Sequence, residues 1–178
     1  MIAAIVAPAA ANAAGPAGQR FLFGVLVHDR GPTADNNEDG IDPNLEMQFR
    51  PPDWALWRTL GNPRPHLGLT PNLNRETSAA YGGLTFELDL AGPLFATIAV
   101  GLAIHDGPLH KDEGGRCGTD SDCGFGSRVL PRGALELGVR LGDGRAVSLV
   151  YSHMSHGGLL ADENEGVDHV GVRYGVEF

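Results

Sequence analysis

Several short segments of the chain alternate strictly between apolar and polar side chains, and this feature constrains the fold most. Segment 44–50 shows the pattern, with apolar residues of one parity and polar residues of the other: Leu45, Met47 and Phe49 against Glu46, Gln48 and Arg50. Side chains two positions apart lie on the same face of a strand. Each alternating segment therefore predicts a β-strand with one apolar and one polar face.

Eight segments of this kind are predicted along the chain: residues 21–29, 44–50, 65–72, 81–90, 94–106, 129–141, 147–155 and 168–178. The third segment has the weakest pattern, because Pro71 has no N–H to donate to a neighbouring strand. Residues 51–64 are irregular and carry both tryptophans, Trp54 and Trp57, which are typical of an anchor at a membrane interface.

The polar faces of these strands carry charges of both signs: Glu46, Arg50, Glu87, Asp89, Arg132, Glu136, Arg140, Arg173 and Glu177. A soluble sandwich buries its apolar face and exposes its charges. A small membrane barrel inverts this arrangement, with apolar side chains toward lipid and paired charges inside. We therefore predict an all-β fold, an eight-stranded antiparallel up-and-down transmembrane β-barrel over residues 20–178. A soluble, lipocalin-like eight-stranded barrel is the alternative.

The lengths of the predicted connections agree with this topology. Long connections follow strands one, five and seven, and short turns follow strands four and six, as expected when both termini face the periplasm. Residues 142–145, with the sequence Gly-Asp-Gly-Arg, predict a tight hairpin turn. Only the connection 51–64 is longer than the topology leads us to expect.

Both ends of the chain predict export to the bacterial outer membrane. Residues 1–14 are interpreted as a signal peptide with an A-x-A cleavage site at 11–13 and a truncated, non-basic start; a disordered alanine-rich leader is the alternative. There is no apolar run of about 18 residues, so no transmembrane helix is predicted. Phe178, which ends an alternating segment, is similar to the C-terminal aromatic signature of bacterial outer-membrane barrels.

Cysteine content and net charge narrow the class of partner. Cys117 and Cys123 lie close together in a segment rich in Gly and Asp, and in an exported protein they predict a small disulfide loop. A zinc site would need more ligands than this segment offers. The net charge of −9 argues against binding to nucleic acid.

Three polar residues fall on the apolar faces of the last two predicted strands. His153 and Ser155 share the face of Leu149 and Tyr151, and Asp168 lies on the apolar face of the next strand. A serine hydroxyl becomes a nucleophile beside a base, and the base needs a third group to fix its tautomer. Ser155, His153 and Asp168 are therefore a candidate catalytic trio. The alternative is a chance pattern near the end of a hairpin.

The same region resembles a known family. His153-x-Ser155, Gly158, Asn164-x-Gly166, the acid Asp168 and the final alternating strand resemble the PagL-type lipid A 3-O-deacylases, and segments 81–86 and 101–107 resemble them more loosely. Members of that family have Glu where this chain has Asp168, which also follows a one-residue insertion. They have Asn directly after the nucleophile, where this chain has His156.

The resemblance implies an outer-membrane esterase that removes the 3-O-linked acyl chain of lipid A, the lipid part of lipopolysaccharide. It implies Ser155 as nucleophile, His153 as base and Asp168 as acid, on the lipid-facing surface of the barrel and without a cofactor. Gly158 and Asn164 match positions that help to hold the oxyanion. The expected partners are lipopolysaccharide and the outer membrane. The oligomeric state is left open, with a homodimer as one option.

One further motif concerns metal. Asp35, Asn37 and Asp39, followed by Glu46, match the spacing of an EF-hand calcium loop. The flanking helices are absent and Glu46 lies in a predicted strand, so an acidic surface loop is the alternative. No other metal site is predicted.

Two other functional classes remain open at this stage. A non-catalytic small outer-membrane barrel would have a structural or adhesion role, with the polar trio present by chance. A soluble barrel would carry lipid in its interior.

Overall fold

The computed structural model describes residues 18–34, 37–111 and 124–178. Eight antiparallel strands form a closed barrel in which each strand pairs with its neighbours in sequence and the last pairs with the first. The strands are β1 (Arg20–His28), β2 (Ile41–Gln48), β3 (Arg64–Thr70), β4 (Ala79–Asp89), β5 (Leu94–His105), β6 (Val129–Gly142), β7 (Arg145–Met154) and β8 (Val167–Glu177), with one short helix, α1 (Ala55–Thr59). The predicted fold is confirmed.

The strand boundaries differ from the predictions by a few residues. At β2 and β3, a proline explains where the strand pairing begins or ends. β2 begins at Ile41 and includes Pro43, which pairs with Val25 of β1. Pairing between β2 and β3 begins only at Leu45, so Pro43 lies on an edge of β2 where its missing N–H costs little. β3 ends at Thr70, directly before Pro71.

The barrel is inverted relative to a soluble protein, as the alternation predicted. Leu45 has an exposed fraction of 44%, while its neighbour Glu46 is only 3% exposed. The same alternation repeats around the barrel, so that the outer wall is an apolar belt and the interior holds most of the polar side chains of the strands, together with a smaller apolar cluster. In the part of the chain that the structure describes, no helix is long and apolar enough to cross a membrane.

Paired charges fill the centre of the lumen. The Arg173 guanidinium lies 3.2 Å from Glu46 and 3.7 Å from Glu136. Tyr81 donates its hydroxyl to Glu46 at 2.9 Å, and the Arg132 guanidinium stacks 3.8 Å from the centroid of the Tyr81 ring. Buried charges are tolerated when they are paired and hydrogen-bonded. Arg173 is paired with both carboxylates, and its Nε is the one atom of its guanidinium that lacks a hydrogen-bond partner among the described residues.

The two rims of the barrel differ. One end, which we call the loop rim, carries the described parts of connections 29–40, 71–78, 106–128 and 155–166. The other end, which we call the turn rim, carries the start of β1 and the end of β8. Connections 49–63, 90–93 and 143–144 also lie there. Asp143 and Gly144 both have positive φ, 51° and 71°, as the predicted tight hairpin requires.

Candidate active site

The candidate site lies on the outer wall at the loop rim, where β7 and β8 are joined by connection 155–166. His153 is the direct register partner of Asp168 across the β7–β8 pair. Ser155 follows the end of β7, and its N–H donates to the carbonyl of Pro131 in β6 at 3.1 Å. Strand pairing on both sides therefore fixes the backbone from which the serine and the histidine project.

The structure brings the three predicted residues into one hydrogen-bonded row. His153 Nδ1 lies 2.6 Å from Asp168 Oδ1, and His153 Nε2 lies 2.7 Å from Ser155 Oγ. An ionised carboxylate can only accept, so Nδ1 carries the proton and Nε2 accepts from the serine hydroxyl. This is the orientation in which a histidine can remove a proton from serine.

Asp168 is fully buried, although it lies on the outward face of its strand. Connection 29–40 folds over it: Thr33 donates its backbone N–H to Asp168 Oδ2 at 2.9 Å and its hydroxyl to Oδ1 at 2.8 Å. The Tyr151 hydroxyl donates to Oδ1 at 3.1 Å. The carboxylate is therefore enclosed by protein donors, whereas the His153 side chain keeps an exposed fraction of 32%.

Two glycines allow this close packing. An added Cβ at Gly31 would overlap Asp168 Oδ2, so only glycine lets connection 29–40 come so near the carboxylate. An added Cβ at Gly166 would lie 2.8 Å from His153 Cε1, so the backbone there supports the imidazole ring. Thr33 and Gly31 were not predicted as site residues. Their segment has no periodicity, and Thr33 is 135 positions from Asp168 in sequence.

The two predicted support residues have different surroundings. Asn164 Oδ1 accepts the backbone N–H of His156, the residue after Ser155, at 3.0 Å. Gly158 has a positive φ of 75° in an exposed part of the connection. Within the described residues, no hydrogen bond joins either one to the trio, so their oxyanion role stays a prediction.

His156, which replaces the Asn expected from the resemblance, has a structural contact of its own. It is 2% exposed. Its Nε2 lies 3.0 Å from the Phe125 carbonyl, and its Nδ1 lies 3.4 Å from the Leu160 N–H. Nδ1 therefore accepts and Nε2–H donates. His156 thus ties connection 155–166 to the segment that precedes β6.

The predicted calcium motif does not converge on one point. Asp35 lies outside the described residues. Asn37 donates to Glu165, Asp39 accepts from Asn74 at 2.9 Å, and Glu46 faces the lumen beside Arg173. Among the described residues, one group of side chains could hold a metal ion: His28, Asp42 and His169, in the lumen. Sequence patterns did not single out that group.

The predicted disulfide and signal peptide are not tested by the structure. Cys117, Cys123 and residues 1–14 all lie outside the described residues, so both predictions stand as they were made.

The fold and the site together define a class of protein, a small membrane-type β-barrel with a serine–histidine–carboxylate row on its outer wall. Within that class, the profile of the lipid A 3-O-deacylase (PagL) family matches residues 40–177, and the chain belongs to this family. The chain is therefore an ester hydrolase of the outer membrane. The predicted family, enzyme class and location are confirmed.

Solved structures agree with the fold. The crystal structure of the outer-membrane enzyme PagL matches with a TM-score of 0.62 at 18% identity, over 88% of this chain and 99% of that one. Neisserial surface protein A (NspA) matches with a TM-score of 0.58 at 11% identity, over 90% of this chain and 97% of that one. No curated protein matches the chain in sequence.

Proposed function

We propose that the chain removes the 3-O-linked acyl chain from lipid A, with Ser155 as nucleophile, His153 as general base and Asp168 as the acid that orients the base. The observation that carries the proposal is the bridging imidazole of His153, 2.7 Å from Ser155 Oγ and 2.6 Å from Asp168 Oδ1. Family membership supports the choice of ester, and the geometry supports the choice of these three residues.

The location of the row suits a lipid substrate. Apolar side chains cover the outer wall beneath it, including Leu149, Val170 and Val172, with exposed fractions of 63%, 41% and 51%. The scissile ester of lipid A lies where sugars meet acyl chains. A site at the edge of the apolar belt meets that ester while the acyl chains stay in the membrane and the sugars stay in water.

The proposed reaction uses the two hydrogen bonds of His153, in which Ser155 donates to Nε2 and Nδ1 donates to Asp168. Ser155 Oγ attacks the ester carbonyl carbon as its proton passes to His153 Nε2, and Asp168 stabilises the imidazolium. The tetrahedral intermediate then loses the sugar oxygen, which takes the proton from His153. Water attacks the acyl-serine in the same way, releases the fatty acid and restores the Ser155 hydroxyl.

The oxyanion of the intermediate needs donors on the same side. Asn164 is the proposed donor, because its Oδ1 already accepts from His156 and its NH₂ group can still donate. Gly158, which has a positive φ of 75°, is proposed to hold the adjoining backbone in place for the same purpose. Both assignments belong to the proposal.

The proposal is tested with purified protein that is folded in detergent and incubated with lipopolysaccharide, followed by mass spectrometry of lipid A. We expect the wild type to remove one 3-hydroxyacyl chain and Ser155→Ala to remove none. Ser152→Ala is the matched control, since Ser152 lies on the same strand but is buried in the lumen. Activity that persists in Ser155→Ala would overturn the choice of nucleophile.

A wild-type protein that leaves lipid A intact across several detergents and divalent-cation concentrations would instead support the non-catalytic barrel. A shift in gel migration on heating would first establish that each preparation is folded. The assay then separates an inactive enzyme from an unfolded one.

A further inference from the structure

Three buried side chains meet in the lumen at the loop rim. His28 of β1, Asp42 of β2 and His169 of β8 have exposed fractions of 0%, 0% and 5%. One ligand atom from each lies within 4.8 Å of the others. His28 and His169 are register partners across the β1–β8 pair, so the group spans the place where the barrel closes.

Two polar atoms of this group lack a hydrogen bond of good geometry. Asp42 Oδ1 is buried with no partner among the described residues, and His169 Nε2 lies 2.8 Å from Asp42 Oδ2 without a well-aligned hydrogen bond. A buried polar atom without a partner destabilises the folded protein. A cation between these atoms would satisfy both of them.

The surroundings of His28 match those of a metal ligand. Its Nδ1 lies 2.7 Å from Asp42 Oδ2, and its Nε2 lies 2.7 Å from Glu38 Oε2. Glu38 in turn accepts from the Thr77 hydroxyl at 2.6 Å and from the Thr77 N–H at 3.2 Å. Histidines that bind metal commonly donate their other ring N–H to a carboxylate that is itself hydrogen-bonded.

A protonated His28 between Glu38 and Asp42 is the competing arrangement. It accounts for the two short contacts of His28. It leaves Asp42 Oδ1 without a partner and His169 Nε2 without a well-aligned hydrogen bond, whereas a bound cation would contact both atoms.

We propose that His28, Asp42 and His169 bind a divalent transition-metal ion. Two imidazoles and one carboxylate favour Zn²⁺ among the common ions, and Asp42 Oδ1 offers a further donor. The ion joins the first, second and last strands on the inner wall, while Ser155 lies on the outer wall. Its role is structural, and the proposal does not depend on the esterase function.

Metal content of the folded protein tests the proposal. The folded protein is incubated with ZnCl₂ and desalted, and its zinc content is measured by elemental mass spectrometry. We expect about one equivalent of zinc in the wild type and in His66→Ala, and a loss of most of it in His169→Ala. His66 is the matched control, because it is also a buried lumen histidine but pairs with Thr85. Equal zinc in the wild type and His169→Ala would overturn the proposal.

A second measurement needs no variant and covers the case in which His169→Ala does not fold. Wild-type protein loaded with Co²⁺ should show visible absorption bands distinct from those of the hydrated ion, and added Zn²⁺ should remove them. A spectrum identical to that of hydrated Co²⁺ would contradict the site.

Discussion

At the scale of single residues, Thr33 most changes how the site is understood. The sequence pattern singled out Ser155 and His153 as candidates, because an H-x-S pair on an apolar strand face is unusual. It gave no indication of Thr33, which donates both its N–H and its hydroxyl to Asp168 from a segment without periodicity. Contacts between positions so distant in sequence become visible only once the chain is folded.

We expect Thr33→Val to lower kcat about 10- to 100-fold with little change in KM. The valine keeps the backbone donor but loses the hydroxyl, and a hydrogen bond to a charged group contributes about 1.5–3 kcal/mol. The measurement is the rate of fatty-acid release from lipopolysaccharide in detergent. Thr33→Ser is the matched control and should stay near the wild-type rate. Similar losses in both variants would show that the hydroxyl is not what matters.

Asp168→Glu is expected to lower activity about 100-fold, although it introduces the acid that the family resemblance implies. The Asp168 side chain is fully enclosed, and Thr33 and Tyr151 already fill its hydrogen-bonding positions. An added methylene would push the carboxylate away from His153, and a displacement of about 1 Å can cost this much. The measurement compares the rates of lipid A deacylation by the wild type and by Asp168→Glu. Equal rates would mean that the residues around Asp168 can move to accommodate the longer side chain.

At the scale of elements, the candidate site depends on two connections rather than one hairpin. The β7–β8 hairpin, predicted from alternation alone, places His153 opposite Asp168. Connection 29–40 supplies the cover, and its course depends on packing between specific atoms, which no local sequence pattern encodes. The strands were predictable because apolar and polar residues alternate along them. The position of connection 29–40 over Asp168 was not predictable, because that segment has no such pattern.

We expect Gly31→Ala to reduce deacylation at least 10-fold while the barrel stays folded. The new methyl group would overlap the Asp168 carboxylate and lift connection 29–40 away from it. Gly175→Ala is the matched control, because the nearest atom to its added Cβ lies at 3.6 Å and the residue is far from the site in β8. Wild-type activity in Gly31→Ala would mean that the connection does not support the acid.

At the scale of the whole molecule, a network of paired charges shares the interior of the barrel with a cluster of buried apolar side chains. Arg173 lies between Glu46 and Glu136, both buried. Removing one partner from a buried ion pair costs about 3–5 kcal/mol, because the remaining charge has lost its compensation.

We therefore expect Arg173→Met to lower the temperature at which the barrel unfolds. The measurement is the temperature at which the protein changes from the gel mobility of the folded form to that of the unfolded form. Arg145→Met is the matched control, since Arg145 is exposed at the turn rim. A barrel that tolerates Arg173→Met as well as Arg145→Met would show that the lumen network contributes little to stability.

The pairing of β1 with β8 has a consequence for when the protein becomes active. Asp168 is the second residue of the last strand, and Thr33 lies in the connection after the first strand, so the two meet only when the first and last strands pair. A polypeptide that is still being inserted, with its first and last strands apart, has the serine and the histidine but lacks the cover over its acid. We therefore expect full hydrolytic capacity only after the barrel has closed, because the proposed acid Asp168 gains its cover from Thr33 at that point.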